Sequence, residues 1–370
     1  MYKINNIELT YILLLFMPFI AIISHRLSSL IAYVAIAFFI LLLLFFKSKQ
    51  NQVSKLTLIY SVLMLSSLYL SFIYQQLEYS FNNLYYIQFF GSQLLFFLGF
   101  GVFVNIKSFI IVHLENLFEI IIFLIFGFVL FDFIMINIGM MTSQLMFMVD
   151  ASSYYGKPLG LFGQFSITST YIVVFYMLHL SFKSNTNKIK SIILFFLTTL
   201  TVLLQDSGTG YIVYMFLIIT IFYKSIVFRY LTIPMIFFIF IFFVQSNLIS
   251  KISYDYFNYL YKYFDEIFTI VYMNNVHSII DFLFGIDGNY IFPIDFGPLF
   301  IISKVGFLYF ILYSIAIFYM IYKAPDRYIK MAIFLLVLSN IHYPTLFYPI
   351  MNVLLPILFI YVTNYKQWRN

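Results

Sequence analysis

Residues 117–138 read LFEIIIFLIFGFVLFDFIMINI and decide the fold of this chain. The run is apolar apart from Glu119 near its start, Asp132 in its second half and Asn137 near its end. A helix of about 20 such residues crosses the hydrocarbon core of a bilayer, which is about 30 Å thick. Apolar and polar residues do not alternate here as they would in a barrel strand, so the run predicts a transmembrane helix.

The whole chain is unusually apolar. Of its 370 residues, 63% are hydrophobic and 9% are charged, which is far from the balance of a soluble domain. Further apolar runs predict about twelve transmembrane helices in one all-α membrane domain over residues 1–370. The predicted spans are residues 9–24, 28–46, 56–74, 88–106, 117–138, 164–182, 191–205, 210–223, 230–246, 296–322, 330–343 and 348–364.

The positions of Lys and Arg predict how the chain is oriented. With the N-terminus in the cytoplasm, fifteen of the twenty Lys and Arg residues fall in or beside cytoplasmic segments, as the positive-inside rule requires. Both termini are then cytoplasmic, and the net charge of +6 does not indicate binding to nucleic acid. The five cations that remain outside are Arg26, Lys157, Lys251, Lys262 and Lys304.

The longest polar segment, residues 247–295, reads NLISKISYDYFNYLYKYFDEIFTIVYMNNVHSIIDFLFGIDGNYIFPID. On the predicted topology it is a large external loop before the last three spans. Residues 139–163 form a second, shorter external loop. Because the external side also carries most of the acidic residues, we expect the active site on the face that these two loops share.

Missing motifs exclude several classes of enzyme. The chain has no glycine-rich phosphate loop ending in GK[ST], no HExxH and no GxSxG, which argues against an ATP-driven or zinc-dependent enzyme. It also has no Cys, which excludes disulfides, thiolate metal sites and cysteine nucleophiles. The sequence therefore predicts neither a metal nor a cofactor.

A glycine-rich stretch, YYGKPLGLFGQ at residues 154–164, directly precedes a predicted span. Gly160 and its neighbouring glycines permit a sharply turning backbone with exposed amides, and Lys157 is available to hold an anion. A plain turn before a helix uses the same residue types, so the sequence leaves both interpretations open. The same holds for QDSGTG at residues 205–210, where Asp206 either orients a substrate hydroxyl or simply forms a polar turn.

The third candidate stretch, FGIDGNYIFPIDFGPLFIISKVG at residues 284–306, spans the end of the large loop and the start of the next predicted span. Lys304 falls within a predicted span, where a charged side chain is costly unless it reaches the interface or a wet cavity. A histidine side chain suits a general base at neutral pH, which makes His277 a candidate, although an isolated histidine is often structural. The candidate catalytic residues are Asp295, His277, Asp287 and Asp206, and the candidate substrate-binding residues are Lys157, Gly160, Lys262, Lys304 and Arg26.

In order and spacing, these features resemble the O-antigen polymerase family (Wzy class), which is related to the O-antigen ligases. The resemblance covers the arrangement of spans and loops along the whole chain. At residue level it rests on KPLGLFGQ at 157–164, SGTG at 207–210, FGIDG at 284–288, DFGPL at 295–299 and KVGFL at 304–308. Members of the family usually have arginine where Lys157 and Gly208 stand here. A lysine still offers a charge to a pyrophosphate, without the fork of a guanidinium, whereas a glycine offers none.

The resemblance implies a membrane glycosyltransferase of the bacterial inner membrane whose active face is periplasmic. It would transfer a growing glycan from undecaprenyl pyrophosphate to the terminal sugar of a new lipid-linked repeat unit. A chain-length-regulating co-polymerase and a flippase are the implied partners. An O-antigen ligase-type transferase, or a lipid-linked oligosaccharide flippase or other transporter, remains the alternative, although flippases usually show internal repeats and short external loops.

Overall fold

The computed structural model describes residues 55–79, 109–138, 157–182, 188–223, 261, 265, 276–286, 296–343, 345–348 and 350–368. These residues form helices and no strand. The helices are α1 (Lys55–Tyr79), α2 (Phe109–Asn137), α3 (Phe165–Phe182), α4 (Lys188–Gln205), α5 (Gly208–Phe222), α6 (Ile279–Phe284), α7 (Gly297–Lys323), α8 (Arg327–Asn340) and α9 (Met351–Trp368), with a 3-10 turn at Thr345–Phe347.

The predicted all-α fold is confirmed for the described part of the chain. Eight of the twelve predicted spans coincide with helices α1 to α5 and α7 to α9. Within the described residues, four helices are long and apolar enough to cross a membrane: Leu114–Asn137, Phe165–Phe182, Lys188–Gln205 and Gly297–Lys323. The predicted spans 9–24, 28–46, 88–106 and 230–246 lie outside the described residues, so the number twelve stays a prediction.

Helix α3 is the centre of the described bundle. All residues from 166 to 179 are buried, and α2, α4, α5 and α8 pack around it. The first turns of α3 carry small hydroxyl residues, which let neighbouring helices approach closely in a membrane protein. Thr170 contacts Ser339 of α8 through their hydroxyl oxygens at 3.1 Å, and the Tyr171 hydroxyl donates to the Thr345 carbonyl at 2.5 Å.

The ends of the helices meet in two separate groups of contacts, one at each end of the bundle. At one end, which we call the Lys157 end, the start of α3 meets the junction between α4 and α5 and the last turn of α8. At the other, the Glu119 end, Glu119 of α2 pairs with Lys190 of α4, and Ser181 of α3 donates to Asp326 before α8. Neighbouring helices therefore alternate in direction, as the predicted spans require.

Helix α7 is broken at Gly306, whose φ of 83° and ψ of 166° are not helical. The short helix α6 packs against the break, and a Cβ atom at Gly306 would overlap the backbone of Leu283. The carbonyls that the break releases still have donors, because the Ile286 N–H reaches the Ser303 carbonyl at 3.0 Å and Gln75 Nε2 reaches the Lys304 carbonyl at 2.9 Å. Such compensation is needed wherever a helix is interrupted at membrane depth.

Candidate functional site

The stretch before α3 is a tight turn built on glycine. Gly160 and Gly163 both have φ of 69°, a left-handed conformation that glycine adopts without strain. The Gly163 N–H closes the turn on the Gly160 carbonyl at 3.3 Å. Thr168, in the first turn of α3, donates its hydroxyl to the Leu159 carbonyl at 2.8 Å, so the turn is tied to the helix that follows it.

A buried carboxylate is hydrogen-bonded to the backbone of this turn. Asp132, in the last third of α2, is completely buried. Its Oδ2 atom accepts the Gly160 N–H at 2.7 Å. There is no room for a side chain at this contact, because a Cβ atom on Gly160 would lie 2.7 Å from Val129 Cγ2 and 2.8 Å from Thr168 Cγ2. The predicted site residue Gly160 therefore allows close backbone contact with α2 and α3.

The junction between α4 and α5 lies against the same turn. Gln205, buried at the end of α4, accepts from the Ser169 hydroxyl at 2.7 Å and donates to the Pro158 carbonyl at 3.4 Å. Ser207 caps α5, and its hydroxyl lies 2.9 Å from that of Ser166. The first turns of α3 and α5 are thereby brought side by side.

These contacts place two predicted residues, Lys157 and Asp206, in an ion pair. Lys157 Nζ lies 2.9 Å from Asp206 Oδ2 and donates to the Asp206 backbone carbonyl at 2.6 Å. The second carboxylate oxygen, Oδ1, accepts the Tyr211 hydroxyl at 2.9 Å. Both charged side chains keep contact with solvent, with 34% of Lys157 and 61% of Asp206 exposed.

The ion pair with Lys157 shifts the pKa of Asp206. The hydrogen bond from Lys157 lowers the pKa of this carboxyl below its ordinary value, the hydrogen bond from Tyr211 and the charge of Lys157 act in the same direction, and partial burial opposes them. Asp206 is therefore a carboxylate at neutral pH and a weak proton acceptor. As a general base, it is poorer than the sequence pattern indicates.

The electrostatic character of this region favours an anion. The N-terminus of a helix carries a partial positive charge and N–H groups without partners inside the helix. Two such N-termini, those of α3 and α5, meet beside the Lys157 ammonium. The ammonium also lies 5.8 Å from the centre of the Phe165 ring, which leaves an apolar surface next to the charge. We call this region, from Lys157 to Gln164 and from Gln205 to Tyr211, the Lys157 site.

Other candidate residues lie in a second group, around α6. Asp281 is buried and caps α6 reciprocally with Ser278. It also accepts from the Tyr74 hydroxyl of α1 at 2.6 Å and from the His277 backbone N–H at 2.9 Å. The side chain of His277 is exposed. The backbone carbonyl of Lys304 belongs to the same group through Gln75.

The structure thus brings Lys157, Gly160 and Asp206 together and places His277 and Lys304 with α1 and α6. Predicted residues Arg26, Lys262, Asp287 and Asp295 lie outside the described residues, and their roles stay predictions.

Several residues in the Lys157 site or in contact with it are not candidates from the sequence alone. Asp132 was noted as a charged residue inside a span, but its partner, the Gly160 N–H, is 28 positions away and has no sequence signal. Gln205 and Tyr211 lie at or beside a stretch whose residue types are those of a plain polar turn. The capping of α6 had a readable signal, because SIID at residues 278–281 matches the capping-box pattern.

Residues that could hold a metal occur at the opposite end of the bundle. Glu115 and Glu119 of α2 and His179 of α3 offer ligand atoms within 4.8 Å of one another. In this structure, Glu119 Oε2 is paired with the ammonium of Lys190, and His179 Nδ1 lies 3.8 Å from Glu119 Oε1. A lysine therefore supplies the positive charge that a cation would bring, and the group is explained as an ion pair joining α2, α3 and α4.

No protein-family model matches this chain, and no curated protein sequence matches it.

Proposed function

We propose that this protein is an O-antigen-type polysaccharide polymerase, a membrane glycosyltransferase whose donor is a glycan linked to a polyprenyl pyrophosphate. One observation carries the proposal. The Lys157 ammonium lies at a glycine turn between the N-termini of two apolar helices, at one end of a helix bundle. A lipid-linked diphosphate needs this combination, because its tail lies along apolar helices while its charged group requires cations at the interface.

The reaction needs little from the protein beyond charge and position. The hydroxyl oxygen of the acceptor sugar attacks the anomeric carbon of the donor glycan. The bond from that carbon to the diphosphate breaks, the diphosphate leaves with the electron pair, and the hydroxyl proton passes to a base. Lys157 and the two helix N-termini would stabilise the negative charge that develops on the leaving diphosphate.

We propose that the general base lies outside the Lys157–Asp206 ion pair. Asp206 is paired with Lys157, which lowers the pKa of the carboxyl, and we assign it no proton transfer. His277, Asp287 and Asp295 remain the candidate bases. Of these, His277 lies within the described residues, with an exposed side chain next to the cap of α6.

The location and partners follow from the proposed reaction. The donor is assembled on the cytoplasmic side and has to be flipped before polymerisation, so a flippase must supply it. We therefore propose that the Lys157 end faces the periplasm and that the protein works in the inner membrane with a flippase and a chain-length-regulating co-polymerase.

The proposal is tested by deleting the gene and complementing it with variants. The deletion strain is expected to make surface glycan with single repeat units, because synthesis and export continue while chain growth stops. Wild type and Lys157→Arg should restore long chains, since both carry a positive charge. Lys157→Ala should fail at normal protein level, because losing one charge-assisted contact to the leaving group costs about 2 to 4 kcal/mol, or roughly 30- to 1000-fold in rate.

Lys188→Ala is the matched control. Lys188 is an exposed lysine at the start of α4, at the Glu119 end, and its loss should leave chain length unchanged. Normal polymerisation by Lys157→Ala would refute the role of this site. A deletion strain that lacks even the single-unit form would point to a flippase or a ligase.

A further inference from the structure

The anion-binding atom of the Lys157 site is already occupied by an anion of the protein itself. Lys157 Nζ makes two hydrogen bonds to one residue, Asp206, through its backbone carbonyl at 2.6 Å and its Oδ2 atom at 2.9 Å. Any external anion that uses the ammonium has to compete with this carboxylate. The contact therefore bears on which anions the site accepts.

Asp206 is held in place by the fold rather than by the lysine. Its φ of 43° lies in the left-handed region, and among the described residues it is the one non-glycine with positive φ. This conformation is enforced because the connection between α4 and α5 is very short and Gln205 and Ser207, on either side of it, are buried. The carboxylate is therefore presented to Lys157 at a high effective concentration.

Separating the Asp206 carboxylate from Lys157 nevertheless costs little free energy. Its side chain is 61% exposed, so the freed Oδ2 atom can be hydrated. Its Oδ1 atom remains bound by the Tyr211 hydroxyl. Exposed ion pairs contribute about 0 to 1 kcal/mol to stability, which a more highly charged ligand can offset.

A membrane surface presents many singly charged phosphodiesters in its lipid headgroups. An uncovered lysine between two helix N-termini would attract any of them. A group with one negative charge gains little by replacing a carboxylate of equal charge that is already in position. A diphosphate brings more charge and more acceptor oxygens, and it can also use the N-termini of α3 and α5.

We propose that Asp206 is a displaceable internal anion that makes the Lys157 site selective for diphosphates over phosphodiester headgroups. This inference rests on the proposed function, in which the substrate is a lipid-linked diphosphate. It makes Asp206 a specificity-determining residue that acts through Lys157. The carboxylate is present throughout the neutral pH range, because the ordinary pKa of an aspartate is about 3.9 and Lys157 shifts that of Asp206 further down.

The test measures anion binding by thermal unfolding of the purified full chain in non-ionic detergent at neutral pH. The probes are inorganic pyrophosphate and dimethyl phosphate, a monoanion with the chemistry of a lipid headgroup. The wild type is expected to be stabilised by pyrophosphate at concentrations at least tenfold lower than by dimethyl phosphate. In Asp206→Asn, apparent affinity for dimethyl phosphate should rise about tenfold and the preference for pyrophosphate should narrow correspondingly.

Asparagine suits the test because it tolerates the left-handed conformation and keeps an acceptor for Tyr211. Asp206→Gly, which also suits positive φ, should behave in the same way and is used if the asparagine variant unfolds. Lys157→Met should respond to neither probe. An unchanged preference in the Asp206 variants, or a wild type that binds neither anion, overturns the inference.

Failure of the inference and failure of the proposed function are distinguishable. A wild type that selects pyrophosphate through Lys157 and Asp206, together with a deletion strain that still makes long chains, would refute the polymerase and leave the selectivity standing. Loss of long chains in Lys157→Ala, together with an unchanged anion preference in Asp206→Asn, would refute the selectivity and support the polymerase.

Discussion

Gly160 shows how much one residue decides in this protein. It combines a left-handed backbone, an N–H bonded to the buried Asp132 carboxylate and a position where a Cβ atom would collide with two methyl groups. The left-handed backbone disfavours a side chain by strain, the neighbouring methyl groups leave no room for one, and the N–H bond fixes the turn against α2. The glycine therefore sets the path of the backbone that leads to Lys157.

We predict that Gly160→Ala destabilises the protein by about 2 to 4 kcal/mol, the sum of a strained backbone and overpacking against Val129 and Thr168. The measurement is the midpoint of thermal unfolding in detergent. Gly208→Ala is the control, because a Cβ atom there meets nothing within 4 Å and alanine favours the helix. Equal effects of the two changes would show that the turn is not packed as described.

The pH dependence of the ion pair is a second prediction at this scale. Because the folded pKa of Asp206 is lowered below its unfolded value of about 3.9, its contribution to stability is present above that value and is lost as pH falls through the folded pKa. The difference in unfolding midpoint between the wild type and Asp206→Asn should be constant above about pH 5 and disappear in stronger acid. A difference that grows as the pH falls would contradict the pairing with Lys157.

At the scale of elements, the broken helix α7 depends on another helix for its integrity. Gln75 of α1 donates its Nε2 to the carbonyls of Lys304, before the break, and of Phe284, at the end of α6, at 2.9 and 2.6 Å. Ser71, one turn earlier in α1, also donates to the Phe284 carbonyl. Ser71 and Gln75 therefore join α1 to α6 and α7 at the point where the regular hydrogen-bond pattern of α7 stops.

We predict that Gln75→Leu lowers stability by about 2 to 4 kcal/mol, because it removes donors from two part-buried carbonyls and the change in size is small. Expression level and unfolding midpoint in detergent are the measurements. The adjacent Gln76 is exposed, so Gln76→Leu makes the same chemical change without these contacts and should have little effect. A similar loss in both variants would mean that α1 does not support the break.

At the scale of the whole molecule, the two ends of the bundle differ in what they hold. The Glu119 end carries the Glu119–Lys190 pair and the guanidinium of Arg327, which lies 4.7 Å from the Tyr223 ring centre. The Lys157 end carries the glycine turn and the start of α3 and α5. Positively charged residues at the Glu119 end agree with a cytoplasmic position for it.

This sidedness is tested with single cysteines, for which the chain is well suited because it has none of its own. His342 is exposed beyond the end of α8, at the Lys157 end. Asn185 lies in the chain segment between α3 and α4, which begins and ends at the Glu119 end. A membrane-impermeant thiol reagent should label His342→Cys in intact cells and leave Asn185→Cys unlabelled until the membrane is permeabilised. The reverse pattern would invert the topology.

The sequence by itself was sufficient for the helical architecture of the described region. Apolar runs such as residues 191–205 and 296–322 predicted helices that are present as Lys188–Gln205 and Gly297–Lys323, because burial of backbone groups in lipid leaves few alternatives to a helix. The composition also determined the class of protein. Lys157, Gly160 and Asp206 were predicted as separate candidates from their residue types and turn patterns, which are local properties.

Only the tertiary structure decided what these residues do to one another. Lys157 and Asp206 are 49 positions apart in the sequence, with helices α3 and α4 between them. The packing of neighbouring helices around the buried α3 brings the ammonium and the carboxylate to 2.9 Å. No periodicity or motif encodes that distance. The physical reason is that helix formation in a membrane depends on the composition of each segment, whereas an ion pair between loops depends on how separate helices pack. For that reason Asp206, a candidate base by its residue type, is the counter-ion of Lys157 in the folded protein.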